Sequence, residues 1–293
     1  EMQRSLVGSE MCIRDSLDYH GTFAEYLRCK KAFFDSLPSS AVAITNIDDR
    51  NGSVMVQNTK ARVVTYSCHS IADHSCKVME QTMEGSLLEI DGVEFWSTLI
   101  GEHNAYNLLA IYSTAVEMGA ERQEVIVAMS ALKEAPGRLE TIHGKDGKTI
   151  VIDYAHTPDA LENVLKTLRK VCHDGQIVCV FGCGGDRDRT KRPEMAQIAE
   201  KYADSIIVTS DNSRTESTQA IIEEICTGFS PAAASKVLRI ADRKEAIRAA
   251  MMFSKPGATI LLAGKGHENY QIIGTEKLHF DEREIVEEVL KSC

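Results

Sequence analysis

From Ile150 onward, apolar runs of strand length alternate with stretches of helical periodicity, and this alternation constrains the fold more than any other feature of the chain. Ile150–Tyr154, Ile177–Phe181, Ser205–Thr209, Lys236–Ile240 and Thr259–Ala263 read as strands. Pro158–Val171, Lys191–Tyr202, Thr218–Gly228 and Arg243–Ser254 read as the helices between them, with Glu282–Lys291 as a final helix. The spacing therefore predicts an α/β domain built on a mainly parallel, doubly wound sheet. Ligands of such sheets gather beyond the carboxyl ends of the strands. That rule points to the loops after Phe181, Thr209 and Ala263.

Those loops carry unusual sequence. Gly182-Cys-Gly-Gly-Asp-Arg-Asp-Arg-Thr-Lys-Arg192 clusters glycines whose N–H groups can approach an anion ahead of a helix N-terminus. Arg187, Arg189, Lys191 and Arg192 supply charge for phosphate or carboxylate. The plainer alternative is a tight turn followed by a solvated charge run. The string lacks G-x-G-x-x-G spacing and so gives no support to a nicotinamide enzyme. Ser210-Asp211-Asn212-Ser213-Arg214 can hold a turn through Asp and Asn, and Arg214 can clamp a carboxylate with its fork of donors. Gly264-Lys265-Gly266-His267-Glu268 brings backbone close to a ligand, and Glu268 can accept from an ammonium group. Together the three loops suit an amino acid or another zwitterion.

Before Ile150 the pattern is mixed. A helix is expected at Tyr26–Phe34, a strand at Ala41–Ile44, a turn at Asp48–Gly52, and strands around Val54–Val56, Val63–Tyr66 and Leu87–Ile90. Helical periodicity covers Asn104–Met118 and Arg122–Leu132, and Pro136-Gly137 marks a domain junction. His143-Gly-Lys-Asp-Gly-Lys-Thr149 approaches the G-x-x-x-x-G-K-[ST] phosphate loop, but the leading position is Ile142. Asp146-Gly147 instead signals a β-hairpin turn. Asp153-Tyr-Ala-His-Thr-Pro158 opens a helix, with Thr157 as N-cap and Pro158 in the first helical position. Asp153 either holds ribose hydroxyls or belongs to that helix start.

Composition narrows the function classes. The 293 residues suffice for about two domains, at ~100–200 residues each. A net charge of −10 argues against a non-specific nucleic-acid binder. The longest apolar runs, such as Ala258–Ala263, fall far short of a membrane span. Nine cysteines without a C-x-x-C pair read as free thiols in a reducing cytoplasm, not as a zinc site or a disulfide framework. Glu1–Ser16 has neither the cationic start nor the apolar core of a signal peptide. It reads as a non-native leader and is set aside from the fold.

Taken together, these strings resemble the Mur ligase family of peptidoglycan synthesis, and within it the members that add diaminopimelate. The matching stretches are 17–22, 26–30, 101–107, 136–140, 153–159, 182–193, 211–214 and 264–268. The resemblance implies a partial central ATP-binding domain (17–135) followed by a Rossmann-like C-terminal domain (136–293) that binds the amino acid. It implies an ADP-forming ligation through an acyl phosphate, with ATP and Mg2+ as cofactors. The implied substrates are the UDP-N-acetylmuramoyl dipeptide and meso-diaminopimelate, with no nucleic acid, no membrane and a monomeric state. By resemblance Lys30 is carbamylated and supports the metal. Asn104 and Asn107 contact adenine, while Arg138 and Asp153 serve the phosphate side and the ribose. Arg187, Asp211, Asn212, Arg214, Gly264 and Glu268 form the pocket for the incoming diamino acid.

Arg214 decides the substrate, because diaminopimelate-using members pair this arginine with the distal carboxylate that lysine lacks. Ser213 stands where those members have proline, which frees φ and loosens the loop. The family's magnesium-binding histidine falls fourteen residues before Lys30, at Ser16, where the leader ends. The sugar-binding N-terminal domain and the phosphate loop have no counterpart, so the chain reads as a fragment without ligase turnover of its own. Three alternatives stand beside this: the same ligation with L-lysine, a sibling ligase using another amino acid or folate, and a non-catalytic amino-acid- or nucleotide-binding module.

Overall fold

In the computed structural model, residues 23–172 and 175–292 are described, so the leader and the 17–22 motif lie outside the described residues. The chain divides into two compact units, and residues 81–86 and 98–101 belong with the second. The first unit opens with α1 (Phe23–Asp35), β1 (Val42–Asn46), α2 (Gly52–Val56) and β2 (Arg62–Ser67). It continues with β3 (His74–Thr82), β4 (Gly85–Ile90), β5 (Val93–Ser97), α3 (Glu102–Glu117) and α4 (Arg122–Ser130). Its sheet has the order β1-β2-β3-β4-β5, with β1 and β2 parallel.

Val54–Val56 is helical, not a strand as the β-branched residues predict. Local backbone locking overrides their propensity. A Cβ on Gly52 would lie 1.8 Å from the Asn46 carbonyl oxygen, so only glycine allows the chain to double back there. Thr45 Oγ1 then donates to the Gly52 carbonyl at 2.9 Å, and the Gly52 N–H to the Asp49 carbonyl at 2.8 Å. β3 and β5 have no counterpart among the predicted strands. In β3 the exposed middle, Lys77–Glu80, removes the apolar alternation.

The second unit is the doubly wound sheet. Its elements are β6 (Glu140–His143), β7 (Thr149–Asp153), α5 (Pro158–Cys172), β8 (Ile177–Phe181), α6 (Lys191–Tyr202), β9 (Ser205–Val208) and α7 (Thr218–Cys226). Then come β10 (Val237–Arg239), α8 (Arg243–Phe253), β11 (Thr259–Ala263), β12 (Tyr270–Ile273), β13 (Glu276–His279) and α9 (Glu282–Ser292). The strand order is β10-β9-β8-β11-β7-β6, parallel except for β6. Alternate strand residues face opposite layers. Val151, Cys179, Phe181, Ile206, Val208 and Leu261 pack with α5, α6 and α7. Ile152, Val178, Val180, Ile207, Ile260 and Leu262 pack with α8 and α9. Burial on both faces is why these strands spell near-continuous apolar runs.

The 143–149 string is a hairpin and not a phosphate loop. Asp146 (φ 58°) and Gly147 (φ 70°) occupy the two left-handed positions of a primed turn, closed by Lys148 N–H to the Lys145 carbonyl at 3.2 Å. Thr157 caps α5, accepting from the Ala160 N–H at 3.4 Å. Strand order reverses between β8 and β11, which opens a crevice beyond their carboxyl ends. The loops 182–192, 210–214 and 264–268 all sit there.

Candidate amino-acid and nucleotide site

The glycines after β8 serve close packing of one loop on another. A Cβ on Gly182 would lie 2.3 Å from the Thr209 carbonyl oxygen, and one on Gly185 would lie 1.9 Å from that of Ser213. The Gly185 N–H donates to the Asn212 carbonyl at 2.9 Å. Two of the run's four cations, Lys191 and Arg192, are likewise internal, contrary to the expectation of a free cationic loop. Arg192 is fully buried and bonds Glu216, Glu224 and the Gly184 carbonyl. Its hydrogen bonds hold the Glu216 carboxyl down to about 2. Arg189 pairs with Glu224, and Lys191 Nζ donates to the His156 carbonyl at 2.8 Å. Arg187 stays exposed at the rim, beside Gly184.

The 210–214 loop forms the wall of the crevice. Arg214 takes a left-handed conformation (φ 49°), and its Nη1 donates to the Gly185 carbonyl at 2.8 Å and the Asn212 carbonyl at 3.3 Å. Its N–H donates to the Ile272 carbonyl at 3.2 Å, while its own carbonyl accepts from Gly274 at 2.7 Å. The loop is thus pinned on both sides of Ser213 by tertiary hydrogen bonds. Gln271 adds a clamp from β12, donating to Ser210 Oγ at 2.9 Å and the Asp211 carbonyl at 3.0 Å.

Asp211, Asn212, Gly264 and Glu268 meet around a fully buried lysine. Lys265 Nζ lies 3.7 Å from Asp211 Oδ1, 3.4 Å from Glu268 Oε2 and 3.3 Å from Asn212 Oδ1. Asn212 Nδ2 donates to Glu268 Oε2 at 2.9 Å. Burial raises the Asp211 carboxyl, but the Lys265 and Arg243 charges outweigh it and hold the group below the usual carboxylate range. Gly264 (φ 118°) is required because a Cβ there would lie 2.8 Å from Asp211 Oδ2. Behind both loops, buried Arg243 bonds Glu282 Oε1 at 2.8 Å, the Ser210 carbonyl at 3.1 Å and the Ala263 carbonyl at 2.9 Å. Lys265, Arg243 and Gln271 escape the motif-based selection. A lysine between two glycines is the only local signal among them.

Asp153 and Arg138 form a second cluster in the same unit. Asp153 Oδ2 accepts from the Leu139 N–H and Oδ1 from the Ala155 N–H, both at 2.8 Å. Burial pushes its carboxyl up despite these donors and nearby Arg138. The side chain therefore anchors backbone, and each oxygen keeps one further lone pair for a ligand. Arg138 lies 5.3 Å from the Tyr154 ring centroid, and the His156 and His267 rings stand 4.6 and 5.1 Å from Tyr154. A Cβ on Gly137 would lie 2.2 Å from Gly266 and His267 backbone, so this junction packs directly on the 264–268 loop.

The remaining candidates lie in the first unit. Lys30 Nζ is 5.7 Å from the Tyr26 ring centroid, one turn back on α1. Asn107 Nδ2 donates to Asn104 Oδ1 at 3.3 Å on α3, so the two amides share one face as their spacing predicts. Between them, Tyr106 donates to Asp48 Oδ2 at 2.8 Å. Asp48 also accepts from Ser67 Oγ and from the Cys68 and His69 N–H groups. Among the described residues no group of three His, Cys, Asp or Glu side chains is placed to hold a metal, and no helix is long and apolar enough to cross a membrane.

Residues 137–266 match the family described as "Mur ligase, glutamate ligase domain", and residues 13–115 match "Mur ligase middle domain". A UDP-N-acetylmuramoyl-L-alanyl-D-glutamate–2,6-diaminopimelate ligase from Phocaeicola vulgatus is 50% identical over 277 residues, covering 94% of this chain and 57% of that protein. The chain therefore spans little more than half the length of this relative. A solved structure of a ligase of that name is 36% identical, with a TM-score of 0.64 over 94% of this chain and 57% of its own. A MurF ligase from Thermotoga maritima, solved in complex with ADP, shares the fold at 18% identity. Its TM-score is 0.66, over 86% of this chain and 56% of its own.

Proposed function

Since the chain belongs to the Mur ligase family, we propose that it carries the amino-acid-binding domain and part of the nucleotide domain of an ATP-dependent amide ligase. That ligase adds meso-diaminopimelate to UDP-N-acetylmuramoyl-L-alanyl-D-glutamate in the cytoplasm, during peptidoglycan synthesis. The observation that carries the reading is one crevice in which Asn212 links the Glu268 carboxylate, through its side-chain amide, to the Arg214 guanidinium, through its carbonyl, with Asp211 next in the chain. Such a pairing of opposite charges matches a zwitterionic amino acid. Half-identity to a ligase named for diaminopimelate supports the same substrate.

Bound ATP supplies the phosphoryl group that activates the D-glutamyl γ-carboxylate for attack by the amine. The side-chain amides of Asn104 and Asn107, adjacent on one helix face, fit the hydrogen-bonding edge of an adenine. Asp153 would take the ribose hydroxyls on its remaining lone pairs, and Arg138 the phosphate side. A lysine ammonium has no lone pair for a cation; as a carbamate, Lys30 would offer an oxygen to Mg2+. The described residues do not enclose a magnesium site by themselves.

Glu268 and Asp211 orient the ammonium end of the incoming amino acid, Asn212 fixes Glu268, and Arg187 adds a rim cation. Arg214 takes the distal carboxylate through the guanidinium edge left outside its backbone bonds. A charge-assisted hydrogen bond contributes ~1.5–3 kcal/mol, or ~10–100-fold in affinity. Calorimetric titration of the chain should therefore show meso-diaminopimelate binding at least ~10-fold tighter than L-lysine, with the difference gone in Arg214→Ala. Equal affinity for the two, or a preference for lysine, overturns the substrate assignment.

A further inference from the structure

β2 and β3 run parallel, with Tyr66 opposite His74 and Ser67 opposite Ser75. One step further along, this register sets Cys68 opposite Cys76. Both thiols are free. Neighbouring strands lie ~4.8 Å apart, within the ~4.4–6.8 Å Cα separation that a disulfide spans. Cys76 is buried, whereas Cys68 is half-buried just past the end of β2. The two are thus unequal in access: Cys68 meets solvent just past β2, and Cys76 lies buried opposite it. The Cys76 sulfur alongside draws the Cys68 thiol below its ordinary range, while Cys68 and burial push the Cys76 thiol up.

We propose that Cys68 and Cys76 are a reversible oxidation site, with Cys68 the attacking thiol and Cys76 the resolving one, and a hydroperoxide as the oxidant. The Cys68 thiolate attacks a peroxide oxygen, the O–O bond breaks, and hydroxide leaves a sulfenic acid on Cys68. Cys76 sulfur then attacks Cys68 Sγ. The S–S bond forms as the S–O bond breaks, and the Cys76 proton departs with the hydroxyl as water. The thiol pair loses two electrons and the peroxide gains them.

The site is wired to the helix that carries the proposed adenine contacts. Cys68 N–H donates to Asp48 Oδ2 at 2.8 Å, and Tyr106 donates to the same oxygen at 2.8 Å. Tyr106 sits on α3 between Asn104 and Asn107. The Cys68 backbone and the α3 tyrosine thus share one carboxylate oxygen. The chemistry of the pair does not depend on the ligase assignment, and peptide mapping tests it without any ligand.

The test treats the full chain with hydrogen peroxide, alkylates the remaining thiols, digests the protein and maps the products by mass spectrometry. The expected product is a Cys68–Cys76 cross-link that dithiothreitol reverses. Before oxidation, Cys68 is alkylated at least ~10-fold faster than Cys76 at neutral pH. Cys76→Ser halts at a sulfenic acid on Cys68 that dimedone traps, and Cys68→Ser leaves Cys76 unmodified. Oxidation of exposed Cys29 while Cys68 and Cys76 stay reduced overturns the proposal, as does pairing of Cys68 with any other cysteine. Where a serine variant does not fold, the wild-type peptide map decides alone.

Discussion

Arg243 is the side chain on which fold and site most depend together, and removing it gives a demanding prediction. Its guanidinium and the Glu282 carboxylate are both fully buried, with Nε to Oε1 at 2.8 Å. Glu282 Oε2 already lacks a hydrogen-bond partner. Arg243→Met keeps the packing volume but strands a buried carboxylate and frees the Ser210 and Ala263 carbonyls. Breaking a buried pair from one side costs ~3–5 kcal/mol, whereas replacing both partners by apolar groups is often near neutral. Arg243→Met should therefore lower stability by about 3–5 kcal/mol, and Arg243→Met/Glu282→Met should recover most of that loss. Urea unfolding followed by far-ultraviolet circular dichroism measures both. The double variant should still bind the amino acid more weakly than wild type, because the carbonyls behind the 210–214 and 264–268 loops have lost their donor. A double variant no more stable than the single one refutes the assignment of the cost to the stranded carboxylate.

Two further predictions concern the loops. Because Arg192 holds the Glu216 carboxyl down to about 2, its stabilising contribution is fully present above the unfolded value of ~4.3 and is lost as pH falls toward 2. Glu216→Gln should therefore unfold at lower urea than wild type at pH 7, with the gap narrowing at pH 3; a gap of constant size contradicts the pairing. Gly185→Ala, whose new Cβ would meet the Ser213 carbonyl oxygen at 1.9 Å, should destabilise by ~1–3 kcal/mol and weaken amino-acid binding. Thermal melting and calorimetry check it, and an unchanged melt shows that the two loops are not held in this contact.

The sheet was legible because its residues face apolar layers on both sides: Ile177–Phe181 and Thr259–Ala263 coincide with the predicted strands residue for residue. Where a strand is half exposed, as in β3, or where a glycine locks backbone, as at Gly52, periodicity carries no usable signal. The site followed the same division. The candidate loops stood out because a doubly wound sheet dictates where ligands gather, and the structure places Arg214, Asp211, Asn212 and Glu268 at that edge. Charge alone misled: Arg189, Lys191 and Arg192 read as a free cationic run, yet their partners, Glu224, the His156 carbonyl and Glu216, are remote in sequence. Lys265 and Arg243 stayed hidden for the same reason, since a buried cation is identified only by what surrounds it.

A crystal structure of the chain with meso-diaminopimelate tests whether the crevice beyond β8, β9 and β11 binds the diamino acid. One carboxylate of the ligand should lie within hydrogen-bond reach of the Arg214 guanidinium, with an ammonium against Glu268 or Asp211. Ligand bound elsewhere on the chain, with Arg214 and Glu268 untouched, contradicts it.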